Sequence, residues 1–275
     1  MKNLRLSFVG GGNMARSMIG GLIGDGMAPQ CITVGEPDPA CRHELMGDFG
    51  ITTFINNDSA IENSDLVIFA IKPQIMQDVI SQLADRLIQK DYLLLSISAG
   101  ISIKNIESWI GKMLPIVRAM PNSASVIRGG ITALCSNPEV SLEQRGQAES
   151  IMLSIGKAIW LNDETLMDAV TAISGSGPAY FFYLMEALEQ AALMAGLDQT
   201  TSRLLTIETA LGAARLATET SESPSVLRKR VTSPGGTTAA ATEILDQEGA
   251  LDIIKKAVIA AKNRSKELSN TTGSQ

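Results

Sequence analysis

A single histidine, His43, occurs in the 275 residues, and its near-absence removes much of the usual nucleophilic and metal chemistry. A Ser–His–Asp or Cys–His site, or a histidine-ligated metal, would have to be built on a residue in the charged stretch CRHEL, where a solvated place on a helix is the ordinary reading. No cluster of other ligands replaces it, so no metal is expected. Cysteine is scarce as well. Cys31, Cys41 and Cys135 make neither a CxxC pair nor an even set of bridges, which suits a reduced, cytoplasmic setting in which all three thiols pack.

Positive charge runs short: 23 Lys and Arg against 29 Asp and Glu leave a net charge of −6. A nucleic-acid partner, which needs a concentrated basic surface, is therefore not expected. An anionic ligand has to be held by local groups. A long uninterrupted apolar run is also missing, and the first residues show no export signal. The most membrane-like stretch, AYFFYLMEALEQAALMAGL from Ala179, carries Glu186, Glu189 and Gln190 at its centre, where a bilayer would penalise them heavily. No membrane partner is expected, and a buried helix fits better.

What is present describes a globular chain, with 45% apolar and 19% charged residues and no Pro, Ser or Gly tracts. Disorder is expected only over 269–275. From residue 4 to about 161, short β-rich runs (RLSFVG, CITVG, DLVIFAI, YLLLSIS, PIVRAM, ITALC, AIWL) alternate with amphipathic stretches such as 74–89 and 142–155. That rhythm indicates βαβ units and a largely parallel sheet. DLVIFAI is almost continuously apolar, as a strand covered on both faces should be.

Beyond about residue 163 the composition turns to Ala, Leu, Met and Glu, predicting helices over 163–174, 178–195, 200–220, 237–247 and 250–268. Breaks fall at SGSGP, AGLD, SESPS and SPGG. The expected architecture is an α/β Rossmann-type domain over 1–161 followed by an all-α domain over 162–275. The helix after Pro178 is apolar almost all round, so more than one side must be covered. An intertwined dimer would do this, and so would the centre of a monomeric bundle.

Three glycines, Gly10, Gly11 and Gly12, stand between the first predicted strand and the first predicted helix, which starts with Asn13 and Met14. Gly10, Gly12 and Ala15 fit the pattern G-x-G-x-x-G/A. In it the first glycine makes the turn, the second lets a pyrophosphate approach the backbone, and the third small residue lets helix pack on sheet. Phosphates then sit on the helix N-terminus. Open α/β sheets bind ligands at the carboxyl ends of their strands, so further cofactor contacts are expected from Ala70, Ile71, Lys72 and Pro73 and from Ser98 and Ala99. At the end of the second strand two signals conflict. Glu36, 24 residues after Gly12, suits the ribose 2′-hydroxyl of NAD, whereas Arg42 suits a 2′-phosphate. Asp38 reads as a helix cap.

Two loops in the helical half, SGSGPAY from Ser174 and VTSPGGTT from Val231, offer hydroxyls and backbone donors but no strong acid or base. Around Gly235-Gly236 the N–H groups of Thr237 and Thr238 open a helix and form a nest for a carboxylate, with Ser233 in reach; the alternative is an ordinary cap. Hydride transfer to an already electrophilic carbon suits such a site. Hydrolysis does not.

The stretches FVGGGNMARSMIGGL, AIKPQ, VRAMPN, SGSGPAYFF and LRKRVTSPGGTTAAATEIL, in order from residue 8 to about 245, resemble the pyrroline-5-carboxylate reductases. The resemblance implies a Rossmann domain and an interleaved helical dimerisation domain, sometimes assembled into rings of dimers. It also implies reduction of a cyclic imine to L-proline, the last step of proline biosynthesis, with NADPH or, alternatively, NADH. Carried over by position, the Ser233–Thr237 loop meets the substrate carboxylate, Thr238 bonds the ring nitrogen with Ser176 nearby, and Asn56 joins the cofactor contacts. NADPH is the expected preference despite Glu36. The competing readings are another imine reductase or a β-hydroxyacid dehydrogenase, and a non-catalytic NADP-binding redox sensor. Such dehydrogenases place a catalytic lysine on a helix of the second domain, and residues 178–220 contain no lysine.

Overall fold

The structure, a computed structural model, describes residues 4–272. Eight strands form one sheet in the order β3-β2-β1-β4-β5-β6-β7-β8. The first half of the chain runs β1 (Leu6–Val9), α1 (Asn13–Gly24), β2 (Ile32–Gly35), α2 (Pro39–Phe49), β3 (Thr52–Phe54), α3 (Asn57–Ile61), β4 (Leu66–Phe69), α4 (Pro73–Leu87), β5 (Leu93–Ser96), α5 (Ile103–Ile110), β6 (Ile116–Met120), β7 (Gly130–Ser136), α6 (Leu142–Leu153) and β8 (Gly156–Trp160). All neighbours are parallel except β6 and β7.

Alternate strand residues feed two cores, one on each face. Leu66 and Ile68 of β4 join Met18, Ile19 and Leu22 of α1, while Val67 and Phe69 join Met76, Ile80 and Leu83 of α4. This is why β4 is buried along its whole length and reads as a continuous apolar run. The edge strand β3, only TTF and partly exposed, is too short and too polar to announce itself.

Between β1 and β4 the strand order reverses direction, so the loops after these two strands diverge at the carboxyl edge and leave a crevice. Gly10 follows β1, and Ala70 and Ile71 follow β4. A wide, solvent-open hollow lined by Leu4, Asp65, Asp91, Lys112 and Glu139 lies at the opposite, amino edge, away from this crevice.

After β8 the predicted helix over 163–174 is divided into a 3-10 turn (Glu164–Leu166), α7 (Met167–Val170) and a π turn (Thr171–Gly175). Then come α8 (Gly177–Met194), α9 (Gln199–Glu219), α10 (Pro224–Arg230), α11 (Thr237–Gln247) and α12 (Ala250–Thr272). Part of the expected break SESPS is in fact the start of α10, whose first position is proline, a residue that removes an N–H a helix start does not use. Disorder was expected from Ser269, but α12 is helical to Thr272; residues 273–275 lie outside the described residues.

Sheet gives way to helix after Trp160. Compaction divides the chain elsewhere: residues up to Ser176 form one unit together with those from Ala261 onward, and 177–260 form the second. Within the first unit the late residues are tied in by Ser265, whose Oγ donates to Asp168 Oδ1 at 2.7 Å, and by Ser269 against Gly100.

In the second unit α8 packs on α9, yet its consecutive Phe181, Phe182 and Tyr183 are 63, 64 and 77% exposed. Three neighbouring helix positions span most of the circumference, so a single chain leaves apolar surface on several sides of α8. Ile244 and Leu245 of α11 and Ile253 and Ile254 of α12 are exposed as well. Apolar surface on this scale marks an interface.

Candidate active site

The site is built on helix starts. Helices that open on Asp38, Asn56, Ser102, Ser141 and Asp198 have their first N–H groups bonded by those side chains. By contrast α1 opens on Gly12 and α11 on Gly236, which have no side chain to offer. Their first N–H groups and dipoles face outward, as an anion requires. Helices α4 and α10 also lack a side-chain cap, but each begins with proline.

The three glycines differ in what surrounds them. Gly10 has φ +97° and donates its N–H to Gly35 O at 2.8 Å. A Cβ there would meet Ile71 Cγ2 at 2.6 Å and Ala70 O at 2.7 Å, so this glycine lets β1 and β4 close on each other. A Cβ on Gly11 would meet Leu45 and Cys41. At Gly12 a Cβ would meet nothing within 4 Å, so open space lies before the start of α1. That is where a pyrophosphate fits, and exposed Asn13 and half-buried Met14 flank it.

The loops from β4 and β5 close the same edge. Ser98 is buried and its Oγ donates to Ile71 O at 2.8 Å, which locks Ile71 and Ser98 together; Lys72 and Ala99 are exposed beside them, with Pro73 the first residue of α4. Thus Gly10, Gly11, Gly12, Asn13, Met14, Ala70, Ile71, Lys72, Pro73, Ser98 and Ala99 share the carboxyl edge of one sheet. Glu36 also belongs there: its Oε2 accepts from Gly11 N at 2.9 Å.

Two expected cofactor residues also bond within the protein. Asn56 caps α3, its Oδ1 accepting from Ser59 N at 3.1 Å. Arg42 Nη1 donates to the carbonyls of Glu36 and Pro37, each at 2.7 Å, so it buttresses the loop.

In the first unit the π turn sets Ser176, whose N–H reaches back to Thr171 O at 2.8 Å. A Cβ on Gly175 would lie 2.7 Å from Met120 Cε, so this turn is laid against the carboxyl end of β6. Single π turns recur at functional sites. Sequence reasoning passed over Asn122, two residues beyond β6, whose buried Oδ1 lacks a partner. The signal was available in VRAMPN, where a polar residue follows a strand and a proline. It also passed over Glu164, whose Oε1 accepts from Arg118 Nη1 at 2.8 Å and from Ile103 N at 2.9 Å, joining α5 and β6 to the first turn of the helical segment.

In the second unit Gly235 has φ +71° and Gly236 N donates to Ser233 O at 3.1 Å. This sharp turn places Thr237 and Thr238 at the first two positions of α11. Ser233, Gly235, Thr237 and Thr238 are exposed. The cap of α11 being Gly236, neither threonine is the cap residue. Their hydroxyls and the free N–H groups form the cluster expected from the sequence.

A mostly parallel sheet whose strand order reverses, with a glycine fingerprint at the switch point, defines a dinucleotide-binding protein with a helical second region. The family model for pyrroline-5-carboxylate reductase dimerisation matches residues 164–268, and that for NADP oxidoreductase, coenzyme F420-dependent, matches 5–100. Pyrroline-5-carboxylate reductase of Pseudomonas aeruginosa is 42% identical over 273 residues, 99% of this chain and 100% of that protein. Among solved structures, a pyrroline-5-carboxylate reductase from Coxiella burnetii matches with a TM-score of 0.92 and 42% identity, covering 98% of this chain and 99% of the other. The Plasmodium falciparum enzyme with NADP bound matches at 0.88 and 27%, with the same coverage. The chain belongs to the pyrroline-5-carboxylate reductase family.

Proposed function

We propose that this chain reduces the C=N bond of 1-pyrroline-5-carboxylate to give L-proline, in the cytoplasm, as the last step of proline biosynthesis. The observation that carries the reading is the start of α11: a turn at positive-φ Gly235 and a glycine cap leave the N–H groups of Thr237 and Thr238 free for the substrate carboxylate. Gly236 and the Ser233 hydroxyl complete that nest. Thr238 then hydrogen-bonds the ring nitrogen, and Ser176 is the second residue assigned to catalysis. A threonine hydroxyl is far too weak an acid to protonate an imine, so Thr238 orients and polarises a nitrogen whose proton comes from solvent. When bound, the nicotinamide dinucleotide supplies the hydride. The chain's own contribution is alignment and electrostatic stabilisation.

The residues that would hold the dinucleotide are the fingerprint glycines with Asn13 and Met14 at the pyrophosphate, Glu36 at the adenosine ribose, and the loops 70–73 and 98–99 along the edge. The open space before Gly12 supports this assignment. The support Arg42 lends to NADPH is weakened by its bonds to two backbone carbonyls. An assay following nicotinamide oxidation at 340 nm, a wavelength set by the reduced ring, with pyrroline-5-carboxylate and each dinucleotide tests the function directly. Turnover is expected with at least one, and a chain inactive with both would refute the reading.

The dimerisation-domain match and the exposed apolar faces of α8, α11 and α12 support an oligomer. We propose a homodimer in which the helical regions interleave, with rings of dimers as its further assembly. Sedimentation at low micromolar concentration is expected to show dimers or their multiples and no folded monomer. A stable, active monomer would contradict the interleaved arrangement.

A further inference from the structure

We infer that Glu36 selects a dinucleotide whose adenosine ribose carries a free 2′-hydroxyl, so that this chain takes NADH in preference to NADPH. The inference rests on the dinucleotide-dependent function proposed above and assigns its specificity.

Glu36 is the first residue after β2, the position from which a Rossmann sheet reads the ribose. Both of its carboxylate oxygens are fastened by backbone donors. Oε2 accepts from Gly11 N at 2.9 Å, inside the fingerprint, and Oε1 accepts from Asp38 N at 2.9 Å. Turning the carboxylate away to admit a phosphate would strip two N–H groups of their partner at once. Left in place, each oxygen retains a second acceptor direction, which suits a ribose hydroxyl as donor.

The neighbouring cations offset that charge only in part. Arg42 keeps its charge but turns Nη1 to the carbonyls of Glu36 and Pro37, and Asp38 adds a second carboxylate next to Glu36. Arg16 is paired with Glu44 and Asp48. Cys41, whose Sγ donates to Gly11 O at 3.2 Å, reports the local field: burial pushes its thiol pKa up, and the Glu36 and Asp38 carboxylates push it further, against a smaller opposing effect of Arg16. A 2′-phosphate, carrying about −1.5 to −2 charges at neutral pH, would enter a place that is already negative. Like charges brought together in this way are a standard device for rejecting a ligand.

Calorimetric titration of the folded dimer with NADH and with NADPH tests the assignment without reference to turnover. Adenosine 5′-monophosphate and adenosine 2′,5′-bisphosphate serve as a second pair of probes differing in the 2′-phosphate. NADH and the monophosphate are expected to bind about ten- to a hundredfold tighter than their phosphorylated counterparts, and Glu36→Ser is expected to remove or reverse that ratio. Glu36→Gln keeps an acceptor for one of the two N–H groups, removes the charge and should shift the ratio the same way, which guards against a Glu36→Ser protein that folds poorly. Equal or tighter binding of NADPH by the unaltered chain would overturn the assignment, as would a ratio unmoved by both substitutions. Failure of the chain to reduce pyrroline-5-carboxylate with either dinucleotide would instead count against the proposed reaction and leave the binding ratio standing.

Discussion

Gly12→Val is expected to abolish dinucleotide binding in a protein that still folds. The backbone at Gly12 has φ −67° and ψ −175°, a conformation open to any residue, and a Cβ there touches nothing within 4 Å. The β-carbon of a valine therefore meets no steric obstacle in the folded chain, and replacing glycine as the cap costs about 0.5–1 kcal/mol. The same methyl groups fill the space through which a pyrophosphate must approach the first turn of α1. Dinucleotide affinity should fall by more than about a hundredfold, since the steric block also separates the phosphates from the helix N–H groups and dipole. Fluorescence titration of the reduced dinucleotide beside circular dichroism measures both. Gly10→Ala makes the contrast, because its Cβ would lie 2.7 Å from Ala70 O at φ +97°, so that variant loses stability first. Undiminished affinity in Gly12→Val would remove the fingerprint from the cofactor site.

Thr238→Ala is expected to lower kcat roughly ten- to a hundredfold with little change in dinucleotide affinity or melting temperature. A hydrogen bond to a group that is charged or gaining charge is worth about 1.5–3 kcal/mol, which corresponds to that range in rate if the bond tightens in the transition state. Structure sharpens the alternative. The cap of α11 is Gly236, so removing the Thr238 hydroxyl takes away no capping bond, and alanine is the better helix former. The Thr238 carbonyl, which accepts from Thr242 Oγ1 at 2.9 Å, is untouched by the substitution. Steady-state kinetics and a thermal melt on one preparation decide the matter. Unchanged kcat and KM would end the catalytic role, whatever the melt shows.

How far the sequence alone reaches depends on whether a feature is encoded locally. The buried strands of the sheet and the fingerprint are legible because burial on two faces demands apolar runs and close backbone approach demands glycine. The SPGG turn is legible for the same reason, positive φ at Gly235 being a demand on one residue. Harder to see is β3, whose three residues TTF are defined by pairing with β2 and not by a pattern of their own. The π turn before Ser176 looks like plain helix in composition, since one wider turn needs no special residue. Arg42 illustrates a limit at the site itself: a cation near the ribose position suits a phosphate on paper, and only the geometry reveals that it holds the Glu36 and Pro37 carbonyls. The return of α12 to the first unit was likewise invisible, because the contact of Ser265 with Asp168 links distant residues through ordinary hydroxyl and carboxylate groups.

That return has a consequence for how the protein is made. Ser265 follows Asp168 by 97 residues, and at synthesis rates of about 5–20 residues per second the ribosome takes about 5–20 s to deliver it. Throughout that interval the sheet-bearing unit on a nascent chain must persist without one of its covering segments. Residues 177–260 are meanwhile produced as an insertion with both ends anchored in the same body, and their apolar helices emerge before the first unit can be completed. Closing the earlier unit is thus timed by elongation of the later one, which gives a second chain or a chaperone several seconds in which to meet those helices first.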